Sequence, residues 1–183
     1  LRAKRMVAEQ YRLFRQELQP RLRAPQPLGV GLTLLSAGEL DAAQRRFLHG
    51  YFTARVYPAL TPLAVDPGHP FPHLRNQSLT LAVLLQRDAP GVTAFAGRGP
   101  ETCFAVVQVP AVLGRLIELP RRGAAALEEP AVRSYVFMED LIALHVGDLF
   151  PGTSIIGCWP FRVTRHCDPN SEACRRDRGD AVR

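Results

Sequence analysis

The sequence predicts an α+β fold: a mainly antiparallel sheet covered by helices, with an amphipathic helix at the N-terminus. Three observations carry this expectation. Strand-like runs at 78–86, 91–96, 103–109 and 115–119 follow one another across short Gly/Pro turns, without the regular βα alternation of a parallel sheet. Two stretches near the N-terminus carry the apolar spacing of helices. Between these regions, LTPLAVDPGHPFPHLRNQSLTLAVLL (Leu60 to Leu85) runs a proline-stiffened loop directly into an alternating apolar strand.

Taken in order, Val7, Tyr11, Phe14, Leu18 and Leu22 recur at spacings of 4, 3, 4 and 4, one stripe of a helix from Arg2 to Arg23. That stripe is expected to bury against something. Pro25 and Pro27 end the helix, and 28–35 reads as a short strand. Asp41 is placed to cap a second helix, with Gln44 three residues on completing a capping-box-like pair. There Ala43, Phe47, Tyr51 and Ala54 form one apolar row and Leu48, Phe52 and Val56 a second, which predicts broad packing across a sheet and a stop at Tyr57-Pro58. Pro58, Pro62, Pro67, Pro70 and Pro72 nearly exclude helix, so Tyr57 to Pro72 reads as a shaped connector.

From Ser78, Leu79, Leu81 and Val83 alternate with Thr80, Ala82 and Leu84, the pattern of a strand with at least one buried face. The other strand runs follow, with a surface loop expected at 123–130. Tyr135 to Met138 reads as a further strand. A helix from Glu139 to Phe150 places Leu141, Leu144, His145 and Leu149 on one side, Pro151-Gly152 breaks it, and Ser154 to Thr164 is a final long strand. The sequence from Cys167 onward is poor in core-forming residues.

At 183 residues the chain is long enough for one domain plus an appendage, burying about 70% of its unfolded surface. It is 46% hydrophobic and 22% charged, and no apolar run approaches the roughly 20 residues of a membrane helix. Nothing reads as a secretion signal. A soluble, cytoplasmic protein is therefore expected. Helical pattern begins almost at Leu1 and the tail stops without a further element, so both ends are expected to be internal to a longer chain. The formal charge of +6 raises a polyanion reading, with inorganic polyphosphate or nucleic acid as the ligand. Much of the excess sits at the termini, and one Lys against twenty-two Arg also fits genomic composition, so solvated basic faces are the simpler account.

Each candidate for chemistry has a structural alternative. His69 and His73 form an i, i+4 pair in HPFPH, but Pro70 and Pro72 forbid the helix that would bring both imidazoles to one face, which argues against a metal site. Cys103, Cys158, Cys167 and Cys174 contain no C-x-x-C pair. The first two lie in strands, where a free Cys acts as a small hydrophobe. His166, Cys167, Asp168 and Cys174 lack the tight paired spacing of structural zinc. Glu139 and Asp140 open a helix, where carboxylates suit the positive end of the dipole. His145 reads as a packing residue. Gly97-Arg98-Gly99 is too short for a phosphate-cradling loop. Arg75, Arg162 and Arg165 remain as candidate anion or interdomain contacts.

Two longer motifs add a resemblance. HPFPHLRNQSLTLAV, with VYPALTPLAVD before it, resembles the HPFPxxxNxSLNLAV signature of bacterial polyphosphate kinases of the long, histidine-phosphorylated type. SYVFMEDLIALHVGDLFPGTSIIGCWPFRVTR (Ser134 to Arg165) is similar to that family's YVxLEDxIxxHLxxLFPGxxVxxxxxFRVTR. With ELDAAQRRFLHGYFTARVYPALTPL, the resemblance covers about Arg2 to Arg165. It implies residues 1–24 as the terminal helix of an N-terminal helical domain, 25–166 as the middle, or head, domain, and 167–183 as a linker or disordered tail. It further implies a complete enzyme that moves the terminal phosphate of ATP reversibly onto polyphosphate through a phosphohistidine, using ATP and magnesium. The histidine nucleophile and arginine clamp of that enzyme belong to C-terminal domains, and its adenine-contacting Asn to an upstream motif. No catalytic, cofactor-binding or metal residue is thus expected here, and the role is structural and dimerising. The expected partners are the catalytic C-terminal domains, a second copy of the chain and polyphosphate.

Overall fold

In the computed structural model the described residues are 2–24, 31–65, 72–87, 102–120 and 133–164. The N-terminal helical pattern becomes α1 (Arg2–Leu13), a π-helical turn (Phe14–Leu18) and α2 (Gln19–Arg23). Pro20 sits in the first turn of α2, where a missing N–H is tolerated. The expected burial of the stripe is not met. Phe14 and Leu22 are half-buried, while Val7, Tyr11 and Leu18 are exposed.

After β1 (Leu32–Leu34), α3 spans Ala42–Tyr51 with the cap expected from the sequence. Asp41 Oδ1 accepts from the Gln44 N–H at 2.8 Å, and the Asp41 N–H donates to Gln44 Oε1 at 3.1 Å. Asp41→Ala is therefore expected to cost about 1 kcal/mol. A thermal melt checks this, as a Tm lowered by about 2–4 °C for a chain of this size. Beyond α3 the helix runs on as a π-helical turn (Phe52–Val56) and a 3-10 turn (Tyr57–Ala59). Only one of the two apolar rows is buried. Leu48, Phe52 and Val56, with Gln44, are at most 1% exposed, whereas Ala43, Phe47 and Ala54 face solvent.

The remaining elements are β2 (Pro62–Val65), β3 (Leu79–Arg87), β4 (Thr102–Gln108), β5 (Leu116–Glu118), β6 (Arg133–Phe137), α4 (Met138–Leu144), a 3-10 turn (Val146–Leu149) and β7 (Thr153–Arg162). The α+β class holds, but the strands form two sheets rather than one. The chain divides into two units, one of Leu1–Tyr51 with Gly114–Leu141 and one of Phe52–Leu113 with Ile142–Arg183.

The first unit holds a sheet of order β1-β6-β5. β1 runs parallel to β6, with Leu32 opposite Arg133, and β5 is antiparallel to it, with Ile117 opposite Val136. Leu35, Leu40, Ile117, Leu119, Val136 and Met138 are buried in this unit. A parallel pair between strands a hundred residues apart leaves no trace in local periodicity, which explains why a single antiparallel sheet was the expectation.

The second unit holds a fully antiparallel sheet of order β2-β4-β3-β7. Leu81, Val83 and Leu85 of β3 are buried on one face, beside Val107 and Ala105 of β4, while Ala82 and Leu84 are half-buried on the other. The alternation read from the sequence is thus the pleat of the central strand. The proline connector contains a strand the sequence reading missed. Pro62 opens β2 at the sheet edge, where a residue without an N–H is tolerated. Edge strand β7 has a register shift opposite Leu84/Leu85, and the Trp159 ring lies over Gly157, where an added Cβ would meet the indole at 2.1 Å. The helix expected to reach Phe150 ends as α4 at Leu144 and yields to the 3-10 turn. The strand at 91–96 and the loop at 123–130 lie outside the described residues.

Candidate functional site

The register of the four-stranded sheet decides where the candidate arginines fall. β7 ends at Arg162, opposite Leu79 at the start of β3. The turn leading into β3 is fixed by three backbone-anchored bonds: the Ser78 hydroxyl and N–H donate to the Arg75 carbonyl at 2.8 and 3.3 Å, and the Gln77 N–H donates to the Val163 carbonyl at 2.9 Å. Gln77 takes a left-handed φ of 59° to make this turn. Arg75 and Arg162, far apart in sequence, are thereby brought to one end of one sheet, both exposed. Arg165 lies outside the described residues. Two exposed guanidiniums at a sheet end offer planar donor forks to carboxylate or phosphate oxygens.

The other candidates separate. His73 is exposed, and its proposed partner His69 lies outside the described residues. Cys103 and Cys158 are free, half-buried thiols, opposite Leu85 and Val83 on the two strands that flank β3. Burial pushes the Cys158 thiol up, which suits an inert packing residue. His166, Cys167, Asp168 and Cys174, and the 97–99 turn, lie outside the described residues. His145 stacks on Phe52 with ring centroids 4.6 Å apart and a 22° interplanar angle, and its Nδ1 is 3.5 Å from Asp148. It is a packed ring, as expected.

Glu139 and Asp140 do open α4, but Glu139 has a partner that the sequence reading missed. Its Oε1 accepts from Arg115 Nη2 at 2.5 Å and Nε at 3.1 Å, and the Arg115 carbonyl accepts from the Met138 N–H at 2.8 Å. The guanidinium also lies 5.2 Å from the centroid of the Phe137 ring. Glu139 is 7% exposed, so this fork ties the lead-in to β5 to the start of α4 around a nearly buried charge. The two groups pair through a two-pronged fork, which is the arrangement of a structural clamp. The residues are 24 apart, and no local pattern signals the pair.

Asp140, beside it, is half-buried, and burial holds its carboxyl above the ordinary 3.8, with the Glu139 charge adding to the effect and Arg115 opposing it. A carboxyl raised in the folded state binds more protons there than in the unfolded chain. Its contribution to stability therefore falls as pH rises from about 3.8 through the raised value. Asp140→Asn is expected to raise Tm at pH 7 and to bring no gain at pH 3, which paired melts at the two pH values measure.

A family model described as the polyphosphate kinase middle domain matches residues 43–182. Polyphosphate kinase from Xylella fastidiosa (strain 9a5c) is 38% identical over 164 residues, covering 90% of this chain and 21% of that protein. That of Mycobacterium avium (strain 104) is 38% identical over 173 residues, covering 93% and 22%. The crystal structure of polyphosphate kinase from Porphyromonas gingivalis superposes with a TM-score of 0.69 over 89% of this chain and 22% of that one, at 24% identity, a likeness of fold. The chain spans about a fifth of the length of these relatives.

Proposed function

Because the chain belongs to the polyphosphate kinase family, through its middle domain, we propose that it is the non-catalytic head-domain portion of a polyphosphate kinase-like protein. In this reading the complete protein transfers the terminal phosphate of ATP to inorganic polyphosphate in the cytoplasm. ATP and magnesium serve its catalytic C-terminal domains. Residues 1–24 close the N-terminal helical domain, and 25–166 form the head. The head's role is structural: it holds the catalytic domains, and a second copy of the protein, in register. Arg75, Arg162 and Arg165 contact neighbouring domains or an anion, a role favoured by the exposure of the first two at one sheet end. The match across 43–182 carries the reading. The test is an assay of the purified 183-residue chain with ATP, magnesium and a polyphosphate primer. No phosphate transfer is expected, and polyphosphate synthesis by this chain alone would overturn the reading.

A second reading, a stand-alone polyanion-binding module, is favoured by seven basic against two acidic side chains in residues 2–23. It requires salt-dependent binding of labelled polyphosphate or DNA at low ionic strength, read by fluorescence anisotropy.

A further inference from the structure

Within the first unit, a groove of about 320 Å³ opens between α2 and β1, lined by Arg15, Gln19, Arg23, Leu32, Thr33 and Leu34 among others. The last three are consecutive, and successive side chains of a strand point to opposite faces. A groove that meets all three runs along the edge of β1 rather than over one face. Among the described strands, β1 pairs with β6 alone. The Gly31 carbonyl accepts from the Arg133 N–H at 2.7 Å, and the Leu35 N–H donates to the Tyr135 carbonyl at 2.8 Å. Parallel pairing alternates, so Leu32 and Leu34 turn their N–H and C=O groups away from β6, toward the open side of this edge strand. This wall therefore offers main-chain donors and acceptors in alternation, a template for one more strand.

The opposite wall is basic. Both acids of the N-terminal helical segment are engaged by one arginine: Arg12 Nη2 is 2.7 Å from Glu9, and Nη1 is 3.5 Å from Glu17. Among the described residues, Arg15 and Arg23 have no carboxylate partner. Positions 15, 19 and 23 are successive fourth residues, so two guanidiniums and an amide share one helical face. The eight-residue separation sets the two charges about 12 Å apart along the axis. Glu39, the acid at the groove, has its Oε2 held by the Ser36 N–H at 2.9 Å and the Ser36 hydroxyl at 2.7 Å, so it serves the turn that precedes α3.

An occupant of this groove has to satisfy both walls. A bare anion brings acceptors only and leaves the Leu32 and Leu34 carbonyls facing further acceptors. An extended peptide brings main-chain N–H groups for those carbonyls, carbonyls for the N–H groups, and carboxylates for the arginine forks. In a strand, residues four apart lie on one face and about 13 Å apart, which matches the spacing of the two guanidiniums. We propose that the groove binds an extended segment of a partner protein, added as a strand to β1, with acidic residues at i and i+4 set against Arg15 and Arg23. This goes beyond the head-domain reading, which assigns no partner to these residues. It also differs from polyanion attraction, because main-chain hydrogen bonds carry the recognition together with charge.

The experiment is calorimetric titration of the 183-residue chain with a short, end-blocked peptide of threonine and valine that carries two glutamates four positions apart. Binding is expected. N-methylating one set of alternate peptide amides, which keeps every charge and removes the donors that face β1, is expected to weaken it about tenfold or more. N-methylating the other set is expected to cost less than about threefold, because those amides point away. Arg15→Gln/Arg23→Gln should weaken binding about tenfold, and Arg2→Gln/Arg5→Gln, which removes equal charge outside the groove, by less than about threefold. Slowed amide exchange at Leu32 and Leu34 on adding the peptide gives a readout independent of the variants. Absence of binding, the same affinity for both methylated peptides, or equal weakening by both double substitutions overturns the proposal. Such a failure leaves the head-domain reading intact, because that stands on the phosphotransfer assay.

Discussion

Phe52→Ala is expected to destabilise the chain by about 3–5 kcal/mol, the range for truncating a fully buried aromatic side chain. Phe52 is 1% exposed. Its ring stacks on His145 at 4.6 Å and meets Tyr57 edge-on, with centroids 6.0 Å apart and planes at 70°. Removing it forfeits both ring contacts and opens a cavity at a π-helical turn whose Phe52 and Val56 are both buried. Against a typical domain stability of about 5–15 kcal/mol this is a large fraction. At about 2–4 °C per kcal/mol, Tm falls by roughly 10 °C. Far-UV circular dichroism melts at pH 7 measure it, and a loss below about 1 kcal/mol would mean that the ring is not packed as described.

Arg115→Ala should produce the next largest loss, about 2 kcal/mol. Breaking a wholly buried pair costs about 3–5 kcal/mol, and the half-exposed guanidinium here lets water reach part of the site. The asymmetry between the partners is the sharper expectation. Glu139→Gln leaves behind a cation that can rehydrate, and should cost only about 1 kcal/mol. Arg115→Ala leaves behind a carboxylate on a residue that is 7% exposed. Arg115→Lys keeps the charge but loses the fork, so it should rescue only part of the loss. Chemical denaturation of the three variants orders them, and equal losses from Arg115→Ala and Glu139→Gln would contradict the burial difference.

Local chemistry was the legible part of this fold. Asp41 and Gln44 announce their reciprocal cap three residues apart, and Leu81, Val83 and Leu85 announce a strand because side chains alternate across a pleat. Long-range choices were not legible. Nothing near Pro62 tells that an edge of β4 is free to receive it, and proline is read as a breaker until that edge exists. The second apolar row of α3 looks as buriable as the first, since periodicity specifies a face but not which face meets the core. For the candidate site, Arg75 and Arg162 were singled out as separate positions, and only the β3–β7 register brings them to the same end of a sheet. The Arg115–Glu139 clamp had no sequence signal, and the groove arginines were visible only as part of a terminal charge excess. Family membership was readable because its motifs are long and occur in order.

The indole seated on Gly157 gives the molecule its own optical gauge. Trp159 is the single tryptophan of the chain and is 53% exposed, so its emission reports from one known spot on an edge strand. Anything that settles over that spot removes water from the ring and moves the emission to shorter wavelength, with no label attached. A side chain at 157 would lift the ring from its seat, so the glycine sets the calibration.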